Sequence, residues 1–129
     1  PLNLQAAVTA THARVDGGSA AAQLTGKRPA QTPMVSATAS ADWRPTERLT
    51  LTAQARYEST RFEDDLNTRI LAPGASLDLR LAWSLGEGRD VYLAAENVAD
   101  SRVEVGETGD GVESFAAPRT LRVGLSIRR

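Results

Sequence analysis

The sequence predicts an all-β fold, an antiparallel meander of about six long strands. Three observations lead there. Apolar and polar residues alternate at period two through nearly every ordered stretch, with helical spacing hard to find. The segments between those stretches run long, short, long, short, long. Hydrophobic residues make up 41% of the 129, but alanine supplies much of that share and aromatics only 5%, which leaves little bulk for a conventional core.

The strands follow in order. The first, over about residues 3–15, sets Leu4, Ala6, Val8 and Ala10 against Asn3, Gln5, Thr9 and Thr11. The second, over about 34–44, sets Val35, Ala37, Ala39, Ala41 and Trp43 against Ser36, Thr38, Ser40 and Asp42. The third, over about 49–62, opposes Leu49, Leu51, Ala53, Ala55 and Tyr57 to Thr50, Thr52, Gln54, Arg56 and Glu58. The fourth is the cleanest, with Leu77, Leu79, Leu81, Trp83 and Leu85 alternating with Asp78, Arg80, Ala82 and Ser84. A fifth spans about 90–97 with Val91, Leu93 and Ala95 on one face. The sixth runs from residue 119 to the end, with Leu121, Val123, Leu125 and Ile127 opposite Thr120, Arg122, Gly124, Ser126 and Arg128.

The short connections are Arg44-Pro45-Thr46-Glu47-Arg48 and Gly86-Glu87-Gly88-Arg89. The long ones, about 16–33, 63–74 and 99–118, are rich in Gly, Asp, Thr, Ser and Pro and read as irregular, solvated backbone. In a meander this alternation sends all long loops to one end and all tight turns to the other. Outer-membrane barrels are built that way. A soluble sandwich also alternates its faces. Expected strand lengths of 11–14 residues exceed the usual mode of about 5–6, and faces of Ala, Leu and Val suit lipid better than an interdigitated core. These points favour a segment of a transmembrane β-barrel; a small soluble antiparallel β-domain acting as a binding or structural module is the alternative. An independent small barrel is disfavoured, since six strands fall below the usual minimum of about eight.

Charge and special residues narrow the function classes. A net charge of −1 gives no electrostatic case for nucleic acid. Cysteine is absent, which removes disulfides, thiolate nucleophiles and Cys-ligated metals. No apolar run is long enough for a membrane helix, whereas a membrane strand needs only about 9–11 alternating residues. His12, the only histidine, lies in phase with the apolar face of the first strand and reads as a strand-end residue. Glu63-Asp64-Asp65 opens a long loop and reads as solvated loop before calcium site. Gly106-Glu107-Thr108-Gly109-Asp110-Gly111 lacks the strand–helix setting of a phosphate loop and reads as flexible. No catalytic, cofactor-binding or metal residue is assigned, and no cofactor is expected. The polar-face charges Arg56, Glu58, Asp78, Arg80 and Arg122 are expected to point into a lumen, paired across strands before contacting substrate. Trp43, Trp83 and Tyr92 lie near the short turns, as an interfacial aromatic belt requires, although Tyr92 is out of phase with Val91 and Leu93.

Three stretches resemble the C-terminal barrel region of TonB-dependent outer-membrane receptors. They are Leu24 to Pro33 with the following Asp42-Trp43-Arg44-Pro45; Val91-Tyr92-Leu93-Ala94-Ala95-Glu96-Asn97-Val98-Ala99-Asp100, similar to the family's "veN-L-x-D" segment; and Pro118-Arg119-Thr120-Leu121-Arg122-Val123-Gly124-Leu125, similar to its closing strand. The resemblance covers essentially the whole chain. It implies that residues 1–129 are the last six strands of a barrel of about 22 strands with a plugged lumen. It also implies uptake of a siderophore or other scarce nutrient without catalysis. The implied partners are the outer-membrane bilayer, the remaining strands, the plug domain and an inner-membrane energising complex. The family carries a terminal aromatic five residues after the closing-strand glycine, where this chain has Arg129. A basic residue suits the lipid face only near the interface, where its side chain can snorkel.

Overall fold

The computed structural model describes residues 1–128. In chain order the strands are β1 (Leu2–Ala10), β2 (Val35–Trp43), β3 (Leu49–Glu58), β4 (Arg61–Phe62), β5 (Ile70–Leu71), β6 (Gly74–Gly86), β7 (Arg89–Glu96), β8 (Glu104–Glu107), β9 (Glu113–Phe115) and β10 (Thr120–Ile127). Six of them form one antiparallel sheet in the order β1-β2-β3-β6-β7-β10, the expected meander. The remaining four make two hairpins, β4-β5 and β8-β9, inside the long connections.

The register carries one apolar row after another across the whole sheet. Ala6 faces Ala39, Ala39 faces Ala55, and Ala55 faces Leu77. Nearer the tight turns the row is Leu2, Trp43, Leu51, Leu81, Leu93 and Val123. Because side chains alternate at period two, the in-register pairing of six alternating strands sorts the sheet into one apolar and one polar face.

Among the described residues no second layer covers the apolar face. Leu71, in a loop hairpin, is the buried hydrophobic residue among those described, while Leu4 is 66% and Val123 83% exposed. The chain exposes 8799 Å², against about 6,600 Å² for a self-contained globular protein of its mass. A sandwich would bury this face against a facing sheet; here it lies bare. On β6 the apolar face runs from Ala75 to Leu85, about 33 Å of strand, or about 25 Å measured across a bilayer at a tilt near 40°. That is the height of the apolar band of an outer-membrane barrel. Trp43 and Trp83 mark its turn end and Tyr57 its loop end.

Four expectations need correction. The sheet strands have 8–13 residues: β6 is as long as expected and β7 matches its expected span to within a residue, but β1, β2, β3 and β10 are shorter. The first strand stops at Ala10, where its ladder with β2 ends at Val35; beyond it the Thr11 N–H still donates to the Met34 carbonyl, and Val15 exchanges backbone bonds with Gly26 and Lys27 inside its own loop. The third breaks after Glu58, and Arg61–Phe62 turns away to pair with Ile70–Leu71. Finally, two of the three long loops, expected to be irregular, carry short hairpins, while the first has only a single 3-10 turn over Ala22–Leu24.

The tight turn after β6 has positive φ at both central residues, Glu87 (52°) and Gly88 (72°), as a type I′ hairpin turn demands. A Cβ on Gly88 would come within 2.3 Å of the Arg128 carbonyl oxygen, so glycine is required there twice over.

Candidate functional site

The polar face carries the charges expected of a lumen, and most are paired along or across strands. Arg122 on β10 bridges to Glu96 on β7 at 3.0 Å. Arg56 on β3 lies 3.9 Å from Asp78 on β6. Asp78 also accepts the backbone N–H of Asn97 at 2.9 Å. Thr52 donates to Asp42 at 2.7 Å. Glu58 lies at the loop end and faces Arg61. Arg80 stacks over the Tyr92 ring, 4.5 Å from its centroid. These contacts place Tyr92 on the polar face, not in an interfacial belt. There its ring covers Gly124 so closely that a Cβ would fall 2.4 Å from Cζ. The glycine of the closing strand is therefore the seat of an aromatic ring from the neighbouring strand.

The three long loops, residues 11–34, 59–73 and 97–119, are tied into one body at the other end. Arg61, 4% exposed, is its centre. Its Nε donates to Gln31 Oε1 at 3.0 Å in the first loop, and Nη2 donates to the Glu104 carbonyl at 2.7 Å in the third. Nη1 has no hydrogen-bond partner but lies 3.1 Å from the Glu58 carboxylate, so its compensation is ionic. Asn67 exchanges hydrogen bonds with the Arg28 backbone, accepting from N–H and donating to C=O, both at 2.8 Å. Arg28 in turn stacks on Phe62 and donates to the Thr60 carbonyl at 3.0 Å. Arg69 donates to the Glu107 carbonyl at 3.0 Å, and Glu104 accepts from the Ala72 N–H at 2.7 Å.

Asn97 closes the third loop at its base. It is 6% exposed, sits at φ 49°, and donates to the carbonyls of Ser101 (2.9 Å) and Ala117 (3.1 Å) while accepting from the Ser101 N–H. Asp100, also at positive φ, accepts the Arg119 N–H at 2.9 Å, where the chain enters β10. The Asn-x-x-Asp spacing is thus a clamp that returns the loop to the sheet.

The remaining candidates resolve as follows. His12 lies past the end of β1, exposed, and is not a strand residue. Glu63, Asp64 and Asp65 lie in the solvated loop, where their carboxylates hold the loop backbone together. Asp64 accepts the backbone N–H groups of Arg69 (2.7 Å) and Thr68 (2.9 Å) and the Thr68 hydroxyl, Glu63 accepts from Gln31, and Asp65 from the Ala30 N–H. The Arg69 N–H, with the Thr68 donors, holds the Asp64 carboxyl below its ordinary pKa against the opposing effect of desolvation. No group of three or more potential metal ligands occurs among the described residues. Gly106 to Gly111 forms the end of β8 and the turn of the β8-β9 hairpin, closed by the Thr108 N–H to Val112 C=O bond (2.9 Å). Arg129 lies outside the described residues.

The loop-locking residues Arg28, Arg61, Asn67, Arg69 and Glu104 could not be singled out from sequence. Their partners are backbone groups up to 43 residues away, and such pairings leave no period. Asn97 and Asp100 had a local signal, since Asn and Asp tolerate positive φ where most residues do not.

No family model matches the sequence, and no curated protein matches it at the sequence level. Solved structures do match in fold. The siderophore receptor PiuA from Acinetobacter baumannii superposes with a TM-score of 0.83 at 18% identity, covering 98% of this chain and 19% of the receptor. The ferric citrate transporter FecA in its unliganded form gives 0.83 at 16% identity, covering 98% of this chain and 21% of the transporter. The ferric yersiniabactin uptake receptor FyuA from Yersinia pestis gives 0.69 at 20%, over 81% of this chain and 17% of the receptor. The chain spans about one fifth of the length of the first two. In fold, this chain is similar to a segment of the β-barrels of these receptors.

Proposed function

We propose that the chain forms the C-terminal wall of an outer-membrane uptake barrel and supplies three outward loops that act as one ligand-facing body. The uptake is non-catalytic, and its cargo is a siderophore or another scarce nutrient. The observation that carries this reading is the uninterrupted apolar face, about 25 Å tall and uncovered, set beneath loops that all lie at one end. The likeness to PiuA and FecA supports the siderophore class. On this reading the rest of the barrel pairs with the open edges β1 and β10, a plug fills the lumen, and an inner-membrane complex supplies the energy.

The test is made on the full-length protein in its own cell. An epitope inserted at Asp110, in the β8-β9 turn, is expected to be labelled on intact cells. One inserted at Glu47 is expected to be labelled only after the outer membrane is opened. Deleting the gene is expected to reduce uptake of an iron-loaded siderophore under iron limitation, and deleting the energising complex to reduce it equally. Equal labelling of both epitopes, or recovery of the protein in the soluble fraction, contradicts the proposal.

A further inference from the structure

The polar face changes character along its length. Toward the loops its charges balance, with Arg56 beside Asp78 and Arg122 beside Glu96. At the turn end four arginines ring one depression of about 530 Å³, and only the carboxylates of Glu47 and Asp90 share it. Arg44 and Arg48 come from the turn after β2, Arg80 from β6, and Arg128 from just beyond β10. Asp90 is engaged by Arg128, while Arg44, Arg48 and Arg80 form no ion pair among the described residues. The depression thus holds a surplus of positive charge, in a chain whose net charge is −1. Small side chains at Ala82, Ser84 and Ser126 leave its middle open. In open water such a cluster would be harmless. Between low-dielectric walls, screening weakens and the field of the guanidinium groups is concentrated on the space they share.

We propose that this depression is a binding site for a small anion with two or more carboxylate or phosphate groups, taken up by Arg44, Arg48 and Arg80 as it leaves the lumen. The proposal rests on the barrel reading above, which makes the polar face a lumen wall and the turn end its inner mouth. The guanidinium fork accepts a carboxylate or phosphate bidentately, and Arg80 is held ready by its stacking on Tyr92, 4.5 Å from the ring centroid. Three observations select the occupant. The volume is that of a small-molecule site. The depression opens on the face opposite Trp43, Trp83 and Leu85, so the headgroups of the surrounding leaflet lie on the other side of the wall. An anion crossing this face from the loops passes from balanced charge to surplus positive charge, so it is drawn toward the turns and held there.

The test uses the full-length protein in detergent and in nanodiscs, with citrate and pyrophosphate as probes. Phenylglyoxal condenses with accessible guanidinium groups, and mass spectrometry reads each arginine separately. Arg44 and Arg48 are expected to react freely in a buffer without polyvalent anions. Citrate at about ten times its half-effective concentration is expected to slow both about tenfold, with one midpoint for the two. Arg89, on the other face at the same end and paired with Glu87, is expected to keep its rate. The double variant Arg44→Gln with Arg48→Gln is expected to weaken citrate binding about tenfold or more in calorimetry, and Arg44→Lys with Arg48→Lys to recover part of it. Arg44 and Arg48 that are already unreactive without a probe are held by a carboxylate of the protein itself, which overturns the proposal. So does equal slowing at Arg89, absence of protection by either probe, or protection by phosphatidylglycerol nanodiscs alone. If the epitope labelling is as expected while protection fails, the anion site falls and the barrel stands; if the labelling fails, both fall.

Discussion

At the residue scale, the closing-strand glycine and the Asn-x-x-Asp clamp explain why particular residue types stand where they do. Gly124 accommodates the Tyr92 ring, so Gly124→Ala forces the ring off its seat and loosens the β7-β10 pair. The expected cost is about 1–3 kcal/mol, typical of overpacking, read as a lower urea midpoint for the barrel in detergent. Tyr92→Ala is expected to cost less when combined with Gly124→Ala than when made alone, because the clash is then already gone. Asn97 invites a finer comparison. Asn97→Gly keeps the left-handed backbone at φ 49° but removes the side-chain bonds to residues 101 and 117, whereas Asn97→Ala removes both. If the clamp matters more than the backbone, both variants lose about 1–3 kcal/mol and differ by no more than about 1 kcal/mol. The outline of this clamp was legible in Val91 to Asp100, because Asn and Asp announce positive φ. Its partners were not, since a carbonyl acceptor at Ala117 has no residue preference.

At the scale of elements, the alternation located all six sheet strands but misplaced their ends. Residues 11–15 continue the pattern of β1, yet a strand ends where its ladder ends, and period two does not say where Val35 will begin pairing. The same blindness hid the loop hairpins, since strands of two to four residues are too short to show a period. These hairpins, bound through Arg61, give the three loops one fate. Arg61→Ala strands Gln31, the Glu104 carbonyl and the Glu58 carboxylate together. Protease added to intact cells is then expected to cut all three loops faster, not only residues 59–73. Cleavage confined to that one loop would contradict a single loop body. Acid probes the same region. Asp64 holds its proton less tightly in the folded loop than in the unfolded chain, so its contribution is complete above the ordinary carboxylate value of about 3.9 and fades as pH falls through the lower folded value. Amide exchange at Thr68 and Arg69 is expected to accelerate over that acid window, and Asp64→Asn to remove the acid dependence.

For the whole molecule, the two faces decide everything else. Ala39 and Thr38 are neighbours in β2 near mid-strand, one on each face. An arginine at 39 would meet hydrocarbon and is expected to cost about 2–4 kcal/mol, while one at 38 would meet the polar face at little cost. The period-two pattern was enough to read this sorting from sequence, because a sheet buried on one face fixes its own register. What it could not supply was the fate of the apolar face, which depends on whether a second layer exists.

The bare face makes the central claim directly measurable: residues 1–129 form part of a barrel wall and cannot satisfy their own apolar surface. Expressed alone in water, the chain is expected to sediment as aggregates, and to gain β structure only in detergent or phospholipid vesicles. A monodisperse monomer that unfolds in one cooperative transition without detergent would contradict it.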